Sequence, residues 1–229
     1  MKRALFSFAI LLCSVLVANA QYKLGDIYDK DGVKGLVVKV DAKGEHGLVM
    51  SLEGSGARWC TGDVKMAVGA TDENDGAANM AAVEKMIAKK KLSWEAFPLF
   101  EWARSLGEGW YIPSKNELQA IMEYVNGGSL DKYNQKSVKA VDKKLKKNGG
   151  KGFIMSAIGS NNEFRNLYSS TEATGNNVYE ICFVENATGA LTSKLGKFVP
   201  RQGKLKFMPG LKKSSGGKLL QCSRAVHKF

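Results

Sequence analysis

Histidine is nearly missing from this sequence. The 229 residues include two, His46 and His227, and neither lies in a recognisable motif. A serine or cysteine nucleophile needs a base held within hydrogen-bond reach, so hydrolytic triads are poorly supplied. Four cysteines occur, but no Cys-x-x-Cys pair, and two imidazoles do not complete a structural or catalytic zinc pattern. No Gly-x-Gly-x-x-Gly or Gly-x4-Gly-Lys-Ser/Thr run appears, which removes the dinucleotide and phosphate-loop signatures. There is no internal repeat and no low-complexity tract. No cofactor and no metal are expected from these absences.

Long apolar runs are also lacking, with one exception at the N-terminus. MKRALFSFAILLCSVLVANA carries Lys2 and Arg3, an apolar stretch over 5–17, and then Ala18-Asn19-Ala20. A basic start, a short apolar core and an Ala-x-Ala site are the anatomy of a signal peptide, so residues 1–20 are expected to be removed. A membrane anchor is the competing reading, but the apolar stretch is short for a bilayer. A lipoprotein reading would place Cys13 first, yet Leu12 stands where a small residue belongs. The mature chain then starts at Gln21 as an exported protein in the periplasm, on the cell surface or outside the cell. No later segment is apolar enough to span a membrane.

Acidic residues are outnumbered, 22 against 34 Lys and Arg, giving a formal charge of +12. Removing Lys2 and Arg3 with the signal lowers this to +10. Such a balance favours anionic company and also simply keeps a protein soluble; it says nothing about fold. Processing leaves Cys60, Cys182 and Cys222. An oxidising compartment permits a disulfide and an odd count leaves a thiol over. Cys182 in VYEICFV and Cys222 in LLQCSRAV both sit in strand-like runs and could bridge if those strands are neighbours. Cys60 would then remain a thiol beside Trp59.

The remaining 209 residues suit one large domain or two small ones. GLVVKV (35–40) and GLVMSL (47–52), joined by a polar turn with Gly44, predict a hairpin. TDENDG (71–76) supplies helix-start chemistry, with Met80, Val83 and Ile87 as a stripe behind it. Pro98 suits a first helical position, and Leu99, Trp102, Ala103 and Leu106 follow at helical spacing up to Gly107. In GWYIPSKNEL (109–118) a strand over 110–112 should stop at Pro113. Ser114 and Glu117 then have the spacing of a capping box, and Leu118, Ile121, Met122 and Val125 form one helical stripe. Strand-like runs dominate after residue 160: FRNLYSS, VYEICFV, GALTSKL and LLQCSRAV. Helices first and antiparallel strands later indicate α+β.

The ordered set Trp110, Ile112, Pro113, Glu117, Leu118, then Ser169, Ser170, Thr171, Glu172, then Arg224 and Val226 resembles an exported bacterial family of C-type-lectin-like domains. That family is named for the C-terminal domain of a collagen-like adhesin (Lcl C-terminal-like) and is related in fold to formylglycine-generating enzymes. Leu167-Tyr168 stand where the family pattern has Tyr-Trp, and the 200–217 loop is longer. The resemblance implies a C-type-lectin-like fold, an antiparallel sheet flanked by helices, with residues 21–97 as an N-terminal hairpin and helix extension and 98–229 as its core. It makes Trp110 and Tyr111 core and edge residues. The Glu-Pro-Asn, Gln-Pro-Asp and Trp-Asn-Asp tripeptides of calcium-dependent sugar binding do not occur. Thr71–Gly76 has oxygen ligands hard enough for calcium, but helix capping accounts for it equally well.

The SSTE run invites a nucleophile reading, but with so little histidine its side chains are expected to satisfy backbone groups at a strand end. The sharpest chemical feature is KSVKAVDKKLKKNGG. Stepped at ~100° per residue, Val138, Val141 and Leu145 fall on one side and Lys136, Lys139, Lys143 and Lys147 on the other. The 200–217 loop adds Lys204, Lys206, Lys212 and Lys213 around Phe207. These eight lysines are the candidate polyanion contacts, for an acidic polysaccharide or surface glycan rather than nucleic acid, for which no fold signature is present. A solvated face is the alternative meaning of such a run. Three functional classes stay open. The first is a non-catalytic binding or adhesion module; the second is a structural subunit of a surface assembly. An enzyme on a formylglycine-generating-type scaffold is the third, and it would need a reactive cysteine pair such as Cys182 and Cys222.

Overall fold

The computed structural model describes residues 21–61, 64, 66–130, 134–152, 165–173, 178–185, 191–192, 199–200 and 223–229. Strands β1 (Ile27–Lys30), β2 (Val33–Val40) and β3 (Gly47–Ser51) run as an antiparallel meander. The expected hairpin is β2 with β3, in register at Leu36↔Met50 and Val37↔Val49. β1 is an addition. It turns back through Asp31 (φ 53°) and Gly32 (φ 79°), the pair of positive φ values that a tight two-residue hairpin demands.

The sheet is completed by the far end of the chain. β8 (Val226–Lys228) pairs antiparallel with β3, and Phe229 exchanges both backbone hydrogen bonds with Gly47. Of the strand expected in LLQCSRAV, residues 219–222 lie outside the described residues; the rest shows a bridge at Ser223 and the strand 226–228. The Phe229 ring packs against Tyr28 and Tyr22, at 5.0 and 5.3 Å between centroids.

Both faces of this sheet are covered, so β2 and β3 read as continuous aliphatic runs rather than alternating ones. Val33, Val37, Val49 and Ala225 face one cluster, with Val83, Leu99, Phe100 and Ala103. Leu36, Val38, Leu48, Met50 and Val226 face the other, with Leu118, Ile121, Val141 and Leu145. A bulge between Val37 and Lys39 inserts Val38 into the second cluster. Helices α1 (Gly76–Lys90) and α2 (Pro98–Ser105) thus lie on one side of the sheet, and α3 (Lys115–Val125) and α4 (Gln135–Lys147) on the other.

The second sheet comprises β4 (Arg165–Glu172), β5 (Val178–Glu185) and β6 (Leu191–Thr192), with β7 (Val199–Pro200) also pairing to β5. Among the described residues every strand pairing is antiparallel, and the architecture is α+β.

The GWYIPSKNEL junction joins the two sheets. The strand expected over 110–112 is reduced to one residue: Tyr111 exchanges N–H···O bonds with Val226 at 3.0 and 2.8 Å. Two residues later the Pro113 carbonyl accepts from Ser170 N–H of β4 at 2.8 Å, and Lys115 N–H donates to Thr171 Oγ1 at 3.0 Å. A chain crossing from one sheet to the other has no room to extend a ladder on either. The capping box then forms in full: Ser114 Oγ accepts from Glu117 N–H, and Glu117 Oε2 accepts from Ser114 N–H at 2.8 Å.

Candidate functional site

Two of the motif segments, 110–118 and 169–172, meet in a buried polar seam. Glu117 is 4 % exposed and also accepts from Tyr111 Oη at 2.8 Å and from Gly76 N–H, the first residue of α1, at 3.0 Å. A Cβ on Gly76 would stand 2.3 Å from the Ile112 carbonyl, so only glycine allows α1 to start this close to the junction. Burial, with Glu117 adding to it, raises the Tyr111 phenol pKa, so the phenol stays a donor.

Glu172 is buried among backbone amides. Its Oε2 accepts from Gly69 N–H at 2.7 Å and Ala70 N–H at 3.2 Å, and both oxygens accept from Val68 N–H. Ser169 Oγ donates to the Tyr179 carbonyl, Thr171 Oγ1 to the Asp72 carbonyl, and Asn79 Nδ2 to Ser170 Oγ. The serines and the carboxylate serve the backbone, as their sequence context suggested. TDENDG opens a helix: Asp75 caps it, accepting from Ala77 and Ala78 N–H, and Asp72 accepts from Asn74 and Asp75 N–H in the turn before it. Trp110 and Tyr111 are buried, at 6 % and 3 % exposure. Cys60 is buried beside Trp59; desolvation, with the Glu172 charge second, pushes its thiol up to about 12.

Helix α4 presents the lysines. Asn134 caps its start through Ser137 N–H, and Val138, Val141 and Leu145 are buried against the second cluster. Lys136, Lys139, Lys143 and Lys147 are all exposed and, among the described residues, none is in an ion pair. Lys146 differs, being held at 2.7 Å by the buried Asp142 one turn earlier. Four uncommitted ammonium groups on one helical face form a surface that can meet several anionic groups at once. Lys204, Lys206, Lys212, Lys213 and Cys222 lie outside the described residues, as do residues 1–20, and Cys182 is placed only as a backbone member of β5, opposite Asn166.

A groove of about 690 Å³ escapes sequence reading altogether. It lies across the sheet from α4, between α1, α2 and the 107–111 loop, with Met80, Trp94 and Trp110 as apolar lining and Glu84, Glu101, Glu108 and Arg104 as charges. Glu101 and Arg104 belong to the polar side of α2, whose apolar stripe alone stood out. Among the described residues, no helix is long and apolar enough to cross a membrane. Comparison with protein families, curated proteins and solved structures finds no significant match for this chain.

Proposed function

We propose that this protein is an exported, non-catalytic binding module on a C-type-lectin-like scaffold, and that it holds acidic polysaccharide through α4. The observation that carries the reading is the exposed set Lys136, Lys139, Lys143 and Lys147, in no ion pair among the described residues, on a helix anchored by its opposite face. The family resemblance supports the scaffold and the export signal supports the compartment. Lys204, Lys206, Lys212 and Lys213 extend the same chemistry in sequence.

Binding of this kind is chiefly electrostatic and needs no metal. Each exposed contact is worth little alone, and the sum weakens as the Debye length falls from ~10 Å at 0.1 M salt to ~3 Å at 1 M. Replacing the four lysines by glutamate should move elution from immobilised heparin to markedly lower salt while circular dichroism stays unchanged. Replacement by glutamine should give a smaller shift in the same direction, without the charge that glutamate puts at the helix C-terminus. Elution of both variants at the parental salt concentration would reduce this face to a solvated surface.

A further inference from the structure

The groove across the sheet from α4 has chemistry opposite to the rest of the chain. In a protein of net charge +12, it gathers three glutamates against one arginine. Glu84, Glu101 and Glu108 are exposed, and among the described residues none of them meets a cation within ion-pair distance. Arg104 lies over the Trp94 ring, 4.1 Å from its centroid, so that aromatic surface already accommodates a cation. Lys228, at 5.7 Å over the Tyr111 ring, is committed to Asp75 at 3.0 Å.

A second feature is independent of charge. Trp110 is 6 % exposed, yet its Nε1–H has no acceptor among the described residues. The indole edge that carries Nε1 lies beside Gly107: a Cβ there would be 3.7 Å from Cδ1 and 4.0 Å from Nε1. Gly107 is exposed at the groove rim, and its φ of 127° favours glycine, so no side chain covers the donor. The donor is not sealed in the interior: it reaches solvent at the groove, where a ligand carbonyl can take the place of water.

We propose that the groove receives a polypeptide segment bearing lysine or arginine. A backbone carbonyl of the segment accepts from Trp110 Nε1–H. Its cationic side chain sits among Glu84, Glu101 and Glu108, with its aliphatic stem on Met80 and Trp94. This site is separate from α4 and stands whether or not α4 binds polyanion.

The test is calorimetric titration of the full chain with three probes: acetyl-Lys-Gly-Lys-amide, the same peptide with norleucine for lysine, and spermidine. Saturable binding of the lysine peptide is expected, with the norleucine peptide at least ~10-fold weaker, since it keeps the carbonyl and loses the charge. Combined Glu84→Gln, Glu101→Gln and Glu108→Gln should weaken the lysine peptide by a similar factor, and these exposed positions leave the fold alone. Arg104→Gln should act in the opposite direction and tighten binding several-fold, because it removes the competing cation; a merely destabilised protein would not bind better. Spermidine binding as tightly as the peptide would overturn the role of Trp110 and make the groove a simple amine site. No heat with the lysine peptide up to millimolar concentration, or equal affinity for the norleucine peptide, would overturn the proposal entirely.

Discussion

Glu172→Ala is expected to lower the urea midpoint of unfolding by about 1.5 M. The carboxylate, 4 % exposed, accepts from the amides of three consecutive residues, Val68, Gly69 and Ala70. Gly69 has φ 88°, and that left-handed step turns successive N–H groups toward one point, an anion-binding nest built from backbone alone. Among the described residues no cation is paired with Glu172, so the amides are what hold its charge. Alanine would strand those donors in the interior, each at about 1–3 kcal/mol, with some relief as the loop frays toward water. A net loss of about 3 kcal/mol, at ~2 kcal/mol per molar urea, gives the stated shift. Glu172→Gln keeps one acceptor oxygen but turns an NH2 toward donors, so about half the loss is expected. Midpoints of both variants within about 0.3 M of the parent would show that the loop does not depend on this carboxylate.

Local chemistry makes part of this fold legible in the sequence. Ser114 and Glu117 sit at capping-box spacing and form the box; Asp75, in TDENDG, stands before a helical stripe and caps it. α4 needed only its period, because Val138, Val141 and Leu145 against the lysines admit one orientation. β1 had a signal as well, since Asp31-Gly32 is a strong hairpin dipeptide, but its flanks, IYDK and VKG, hide it by being half polar.

What stayed illegible is set by contacts distant in sequence. Nothing near Val226 says that it pairs with Met50, 176 residues earlier, or that Tyr111 will bridge to it from the other edge. The segment between β3 and α1 has no hydrophobic period, because its order comes from outside. Glu172 gathers residues 68–70, Ser223 exchanges backbone bonds with Ser55, and Trp59 Nε1–H donates to the Ser169 carbonyl at 3.1 Å. The charged groove is invisible for a related reason. Glu84, Glu101 and Glu108 come from three separate segments, and each alone looks like ordinary solvated charge.

Arg224 poses the converse problem, a buried cation among carbonyls. It is 2 % exposed, and its Nη1 donates to the Ser51 and Leu52 carbonyls while Nη2 donates to that of Lys151. Burial lowers its pKa, and the Glu53 and Asp142 carboxylates work against that fall. One guanidinium thereby ties the end of β3 to the segment leaving α4, from a position two residues before β8. Its planar fork reaches several carbonyls at once, which a lysine ammonium on a single stem cannot do. Arg224→Ala should cost about 3–5 kcal/mol, because it takes a charged donor from those carbonyls, leaving that of Leu52 with only the Lys151 N–H, and opens a cavity where a long side chain lay. For a chain of this size, ~1 kcal/mol corresponds to about 2–4 °C, so calorimetry should find the melting temperature lower by about 10 °C. Arg224→Met fills most of the space and removes the cost of burying a charge, so it should lose less than alanine. Arg224→Lys should fall between parent and alanine. An alanine variant melting within about 2 °C of the parent would mean that water replaces the guanidinium at all three carbonyls, and that β3 and the α4 exit do not need Arg224 to stay joined.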